Sequence, residues 1–148
     1  MDSFVRRVEV KDYRHIYLLN KEFNPKLDDY SETKVKVKLE TIIRKNTDMV
    51  FVYEQDNEVV GYIHGSPYEL LFSESLINVL GFVVKESHRN QGIGSRLINR
   101  LEEWSRNNKY FGIKLLTHPN RVNAHKFYEK RGYIFTKDQK NYIKALRD

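Results

Sequence analysis

Phe82-Val83-Val84-Lys85-Glu86-Ser87-His88-Arg89-Asn90-Gln91-Gly92-Ile93-Gly94-Ser95 (residues 82–95) is the stretch on which the fold turns. It completes a run, Leu76 to Val84, that is apolar at nearly every position, as a strand buried on both faces would be. A polar, glycine-containing loop follows, Ser87 to Gly94, and then a segment with Leu97, Ile98, Leu101 and Trp104 on one helical face, ending near Asn107-Asn108. In a strand–glycine loop–helix unit, free backbone N–H groups and the positive end of the helix dipole converge, and such a place binds phosphate. Glycines let a pyrophosphate approach the amides and can supply positive φ. The common nucleotide loops do not fit. No Lys-Ser or Lys-Thr follows Gly94, as a Walker loop requires, and Ser95 to Leu97 lacks the third glycine of a dinucleotide fingerprint.

Upstream, Val5, Val8 and Val10 predict an opening strand, and Asp12 a cap for a helix with Ile16, Leu19 and Phe23 on one face, stopped by Asn24-Pro25. Ser31 to Asn46 contains both an alternating run, Val35 to Leu39, and a helical set, Val35, Leu39, Ile42 and Ile43; its length favours helix. Met49 to Glu54 and Glu58 to His64 predict a hairpin about Gln55-Asp56-Asn57, with Leu76 to Val84 as its third strand. Downstream come a strand, Ile113 to Thr117, and a short helix, Asn120 to Arg131, stopped by Gly132. A closing pair of strands follows, Tyr133 to Phe135 and Tyr142 to Leu146. The expected fold is a mixed α/β (α+β) domain with a central sheet flanked by helices.

The chain has 148 residues, 40% of them hydrophobic, and its three prolines fall singly at 25, 67 and 119. With no linker or repeat, one domain over 1–148 is expected. A net charge of +6 favours an anionic partner. The basic groups, at Arg6-Arg7, Lys34-Lys36-Lys38 and Lys130-Arg131, form no dense stripe, so a phosphorylated small molecule is expected and nucleic acid is not. No apolar run approaches the roughly 20 residues that cross a bilayer, and Met1 to Lys11 alternates charge with Val. The expectation is a soluble, unprocessed, cytoplasmic protein with no membrane partner. The absence of Cys excludes a disulfide framework, thiol catalysis and a thiolate metal site. The histidines at 15, 64, 88, 118 and 125 lack metal-site spacing, so no metal is expected.

Phe82-Val83-Val84, the intervening polar residues and Arg89-Asn90-Gln91-Gly92-Ile93-Gly94 resemble the acetyl-CoA motif of the GCN5-related N-acetyltransferase family: Arg or Gln, two residues, Gly, one residue, Gly or Ala. Asn120 to Tyr133, with its Phe127-Tyr128-Glu129 and Gly132-Tyr133, is similar to that family's second cofactor segment. The order of elements from Val5 to Leu146 also fits, although the first 60 residues carry little of the likeness. The resemblance implies a mostly antiparallel mixed sheet, splayed where acetyl-CoA binds. The backbone of Phe82, Val83 and Val84 would pair with the pantetheine arm like an added strand. The amides of Gln91, Gly92, Ile93, Gly94 and Ser95 would hold the pyrophosphate beside Arg89 and Asn90, and Asn120 would contact the pantetheine. A homodimer is common among such proteins, but no segment here identifies an interface.

Members of that family transfer acetyl directly from the thioester to an amine. The resemblance places Tyr128 where a phenol gives its proton to the departing thiolate. Many relatives carry a Glu on the strand before the loop; here that place reads Asn78-Val79-Leu80-Gly81, and Asn78 cannot take a proton. His64, Glu69 and Glu74 lie just upstream, and the base stays unassigned. The implied activity is N-acetylation of a small-molecule amine. Acetylation of a protein N-terminus or lysine, and a CoA-binding sensor without turnover, are the alternatives. The acceptor would be set by the helix pair from Asp12 to Asn46 and by Ser66 to Ser75, whose Tyr68, Glu69 and Glu74 could attract a cation.

Overall fold

The computed structural model describes residues 3–26 and 30–147; Met1, Asp2, Leu27, Asp28, Asp29 and Asp148 lie outside the described residues. The chain divides into two compact units, Met1–Leu115 and Leu116–Asp148.

The first unit is a five-stranded sheet in the order β1-β2-β3-β4-β5, formed by β1 Ser3–Arg7, β2 Met49–Gln55, β3 Glu58–Tyr68, β4 Leu76–Val84 and β5 Gly112–Lys114. The first three pairings are antiparallel and the last is parallel. Asp56 and Asn57 take positive φ, 51° and 66°, which suits the tight β2–β3 turn to the right-handed strand twist. Helix α3, Ile93–Asn107, packs on one face of the sheet, with Leu97, Ile98 and Leu101 wholly buried. Helix α1, Tyr13–Phe23, packs on the other, where Leu19 joins Val52, Val59 and Val83. Helix α2, Glu32–Lys45, adds Val35 and Leu39 against Ile16. The helical reading of Ser31 to Asn46 holds: Ser31 Oγ accepts the Lys34 N–H at 3.2 Å, and Asn46 closes the helix at φ 53°.

Several local expectations are overturned. β1 ends at Arg7, so Val8 lies outside it, and Val10 belongs to a 3₁₀ turn, Val10–Asp12. The cause is Asp12, whose carboxylate accepts the Glu9 N–H at 2.8 Å and both Nη atoms of Arg6 at 2.9 Å. That carboxylate is therefore spent on a clamp to β1 and does not cap α1. Phe23 is exposed, outside the buried stripe of α1. β3 continues past His64 to Tyr68 because β4 pairs with it throughout. β4 is not buried on both faces: Ile77 and Val83 are covered, whereas Leu80 is 56% exposed. Its pairing explains this, since Gly65 faces Val79 and His64 faces Gly81, leaving Leu80 as the extra residue of a β-bulge. β5 stops at Lys114, short of Thr117, because its ladder with β4 covers only Leu76–Asn78.

In the second unit, α4 runs Val122–Lys130 and ends in a Schellman closure. The Tyr133 and Gly132 N–H groups bond to the carbonyls of Tyr128 and Glu129, both at 3.0 Å, with Gly132 at φ 91°. The expected closing strands, Tyr133 to Phe135 and Tyr142 to Leu146, are absent among the described residues. Ile134, Phe135, Tyr142, Ile143 and Leu146 are all exposed there. A strand exists only through its hydrogen-bonded partner, and β-favouring residues alone do not supply one.

Candidate functional site: the fork of the sheet and the head of α3

β3 accompanies β4 along its whole length, but β5 accompanies it only from Leu76 to Asn78. From Val79 to Val84 the β5 side of β4 carries no ladder among the described residues, so the sheet forks. Phe82, Val83 and Val84 occupy the end of this open edge, next to the loop. The bulge at Leu80 adds local twist at the fork.

The loop is built by the backbone. The Lys85 N–H donates to the Val60 carbonyl at 2.8 Å, continuing the ladder one step past β4. A 3₁₀ turn, Glu86–His88, follows, and the Glu86 N–H donates to Glu22 Oε1 at 2.6 Å, tying the turn to α1. Arg89 folds back, its Nε donating to the Val84 carbonyl at 3.1 Å. Asn90 and Gly92 then take positive φ, 63° and 81°, which turns the chain into α3 through Gln91. No side chain caps α3. The first-turn amides of Ile93 and Gly94 stand at the positive end of a 15-residue helix. A Cβ placed on Gly92 would meet nothing within 4 Å, so the space over the loop is open.

In the second unit, Asn120 is exposed in the turn before α4. Its N–H donates to His118 Nδ1 at 3.2 Å, and Arg121, not Asn120, holds the N-cap position. Tyr128 lies on α4 against Phe127 and Tyr133, with ring centroids 5.4 and 5.8 Å away. Burial pushes its phenol above the usual tyrosine range, opposed by the charge of Arg121.

Sequence reading missed a polar row across the sheet at the fork. Ser66 of β3 pairs with Asn78 of β4, and Asn78 with Lys114 of β5. Asp48 stands just before Met49, which pairs with Gly65. Its Oδ1 accepts from Ser66 Oγ at 2.7 Å and its Oδ2 contacts His64 Nε2 at 2.8 Å. Lys114 Nζ lies 5.2 Å above the Tyr68 ring, two residues along β3 from Ser66. Asn78 Oδ1 is buried without a partner among the described residues. Next on this face is Tyr62, whose hydroxyl donates to Asn20 Oδ1 at 2.5 Å and which burial pushes up to about 12. Of the other carboxylates lying upstream of Asn78, Glu69 is engaged by Ser75 Oγ, and Glu74 is exposed. The signal in the sequence was only His64 and Ser66 sharing a face with Tyr62.

Two concavities lie apart from the loop. One of about 90 Å³ is lined by Tyr17, Asn20, Lys21, Tyr30 and Val35, within the helix pair expected to set the acceptor. The other, about 200 Å³, surrounds the Arg6–Asp12–Glu54 clamp, whose carboxylates hold Arg6 well above its ordinary pKa. Among the described residues no cluster of three or more His, Asp or Glu could hold a metal ion, and no helix is long and apolar enough to cross a membrane.

An open strand edge leading to an uncapped helix head defines a class that comparison makes specific. Residues 11–133 match the acetyltransferase (GNAT) family, and the chain belongs to that family. It is 31% identical over 97 residues to YdhI, an uncharacterized protein of Bacillus subtilis strain 168, a match covering 63% of this chain and 54% of YdhI. The chain thus spans about half the length of the curated relatives it matches, 54% in each case. Among solved structures, aminoglycoside N-acetyltransferase AAC(6')-Iy in complex with CoA superposes with a TM-score of 0.85 at 19% identity, covering 98% of this chain and 96% of that one. Glucosamine-6-phosphate N-acetyltransferase from Arabidopsis thaliana gives 0.80 at 16% identity, covering 97% and 99%. These likenesses show that the fold is the expected one.

Proposed function

We propose that the protein is an acetyl-CoA dependent N-acetyltransferase acting on a primary amine of a small molecule by direct attack in a ternary complex. Residues 1–148 form one domain in this reading, since the family match at 11–133 runs through both compact units. The observation that carries it is the continuity of the open β4 edge, Val79–Val84, with the uncapped head of α3. The open space over Gly92 fits a phosphate group drawn to those amides.

Acetyl-CoA, when bound, supplies an activated acetyl thioester. The amides from Gln91 to Ser95 hold its pyrophosphate, with Arg89 and Asn90 beside them. The backbone of Phe82, Val83 and Val84 offers ladder groups to the peptide-like pantetheine arm. Asn120 contributes a side-chain contact, and Tyr128 gives its phenolic proton to the departing sulfur. The far end of the β4 edge from the phosphate loop is the fork, toward which the thioester end of the arm would extend. The two solved acetyltransferases named above act on an aminoglycoside and a glucosamine phosphate, which supports a small amine as acceptor.

Acetyl-CoA should raise the melting temperature, because a ligand of the folded state alone stabilises it by about 2.7 kcal/mol at a hundredfold excess over Kd. CoA release with a panel of small amines then separates turnover from mere binding. No thermal shift at millimolar acetyl-CoA overturns the reading.

A further inference from the structure

The row at the fork lacks a carboxylate at Asn78, yet it contains a His–Asp pair one strand away. Both carboxylate oxygens of Asp48 are occupied, Oδ1 by Ser66 Oγ at 2.7 Å and Oδ2 by His64 Nε2 at 2.8 Å. Among the described residues no partner reaches His64 Nδ1. An ionised Asp48 fixes the tautomer that carries its proton on Nε2 and leaves the lone pair of Nδ1 unshared. The two side chains are only 17% and 18% exposed, so the pair is held in place and not merely solvated. His64 faces Gly81 across the ladder, immediately beyond the bulge at Leu80, where the β4 edge opens. Asn78 Oδ1, facing Ser66, is a buried acceptor still lacking a donor.

We propose that His64 is the proton acceptor of the reaction, with Asp48 and Ser66 as its positioning residues. This rests on the acetyltransferase reading above. The acceptor ammonium gives one proton to Nδ1. Its nitrogen pair forms the C–N bond at the thioester carbonyl carbon, and the C–S bond breaks with its electron pair on sulfur. The second proton shed by nitrogen balances the thiol formed, and the imidazolium returns its proton to water. Asp48 takes no proton; it holds the ring by the Nε2–H bond, as the orienting carboxylate of a His-based acid–base pair does.

The test uses the whole chain. Two-dimensional NMR of the imidazole nitrogens, without ligand and at a pH where the ring is neutral, should show His64 protonated on Nε2 and bare on Nδ1, and Asp48→Asn should abolish that preference. With an amine that the parent acetylates, His64→Gln should lose about 10²- to 10⁴-fold in kcat while acetyl-CoA affinity by calorimetry stays at the parental value. In His64→Ala, added imidazole should restore turnover in proportion to its concentration. The proposal is overturned by a His64→Gln kcat within threefold of the parent, or by an Nδ1–H tautomer in the parent. Should His64→Gln fail to fold, as thermal melting would reveal, the tautomer measurement on the parent decides alone. A parent that binds no acetyl-CoA overturns the acetyltransferase reading and this one together, whereas parental turnover in a folded His64→Gln overturns this one only.

Discussion

A methyl group on Gly65, in the middle of β3, would stand 2.8 Å from Ile77 Cγ2 and 2.9 Å from Leu101 Cδ1, while one on Gly92, at the head of α3, would meet nothing within 4 Å. Gly65 has no room for a side chain, since Ile77 and Leu101 are both wholly buried. Gly92 has room, but its φ of 81° is costly for L residues. The same residue type thus answers two demands: close packing of α3 on the sheet, and a backbone turn under open space. A packing position should reveal itself through stability alone. A site position should show in binding or turnover while the fold stays intact.

Tyr128 puts this division to its largest test, because it packs against Phe127 and Tyr133 and is also the proposed acid. Tyr128→Phe keeps the ring and removes only the proton and its hydrogen bond. Loss of a positioned acid typically costs about 10²- to 10⁴-fold, so kcat should fall by that order with acetyl-CoA affinity nearly unchanged. Parental turnover over the whole pH range would return Tyr128 to the class of Gly65, a packing residue.

The two glycines themselves should give opposite rankings. At Gly65, alanine should cost about 1–3 kcal/mol by overpacking, and asparagine more, since it adds volume and an amide where none can be bonded. At Gly92, alanine should cost about 1–2 kcal/mol for its left-handed backbone, whereas asparagine, which tolerates that conformation, should cost less despite its size. Denaturant unfolding of the four variants checks the inversion. Calorimetry sharpens it, since Gly92→Asn should melt near the parent yet bind acetyl-CoA poorly, its side chain filling the space over the loop. Parental affinity in that variant would make the loop a turn and nothing more.

What the sequence disclosed follows the same line. The strand, loop and α3 were legible because apolar periodicity and paired glycines are local signals. The bulge at Leu80 was not, since a continuous apolar run carries no mark of register, and Gly81 was its only hint. β3 runs past the expected end at His64; Gly65, within it, is dictated by Ile77 and Leu101, residues far along the chain. Asp48, His64 and Ser66 are brought together by the β2–β3 register, 16 and 18 residues apart, with no motif to announce them. The closing strands were overread because β-favouring residues at Tyr133 to Phe135 and Tyr142 to Leu146 describe side chains and not backbone partners. Of the candidate site, the β4 end leads directly into the loop, Arg89 turns back onto Val84, and Asn120 sits in a turn.

The smallest expected effect concerns what roots the loop. Lys85 Nζ donates to Glu58 Oε1 at 2.8 Å, while the Lys85 N–H holds the Val60 carbonyl, also at 2.8 Å. The hydrogen bond from Lys85 holds the Glu58 carboxyl below its ordinary range, partly offset by burial. A carboxyl whose pKa is lowered in the folded state adds stability above its unfolded value and loses it as the pH falls through the folded one. The contribution is therefore present at neutral pH and gone in acid below the lowered folded-state value. With side chains 34% and 43% exposed, solvent screening limits the pair to about 0–1 kcal/mol. Glu58→Gln should accordingly lower stability by no more than about 1 kcal/mol at neutral pH, a difference that shrinks at high salt and vanishes in acid. Denaturant unfolding at neutral and acid pH, each at low and high salt, measures it. A larger loss at neutral pH would mean that an ion pair, and not the backbone ladder, anchors the loop, and Gly92 would then sit in a segment shaped by side chains, contrary to the contrast with Gly65.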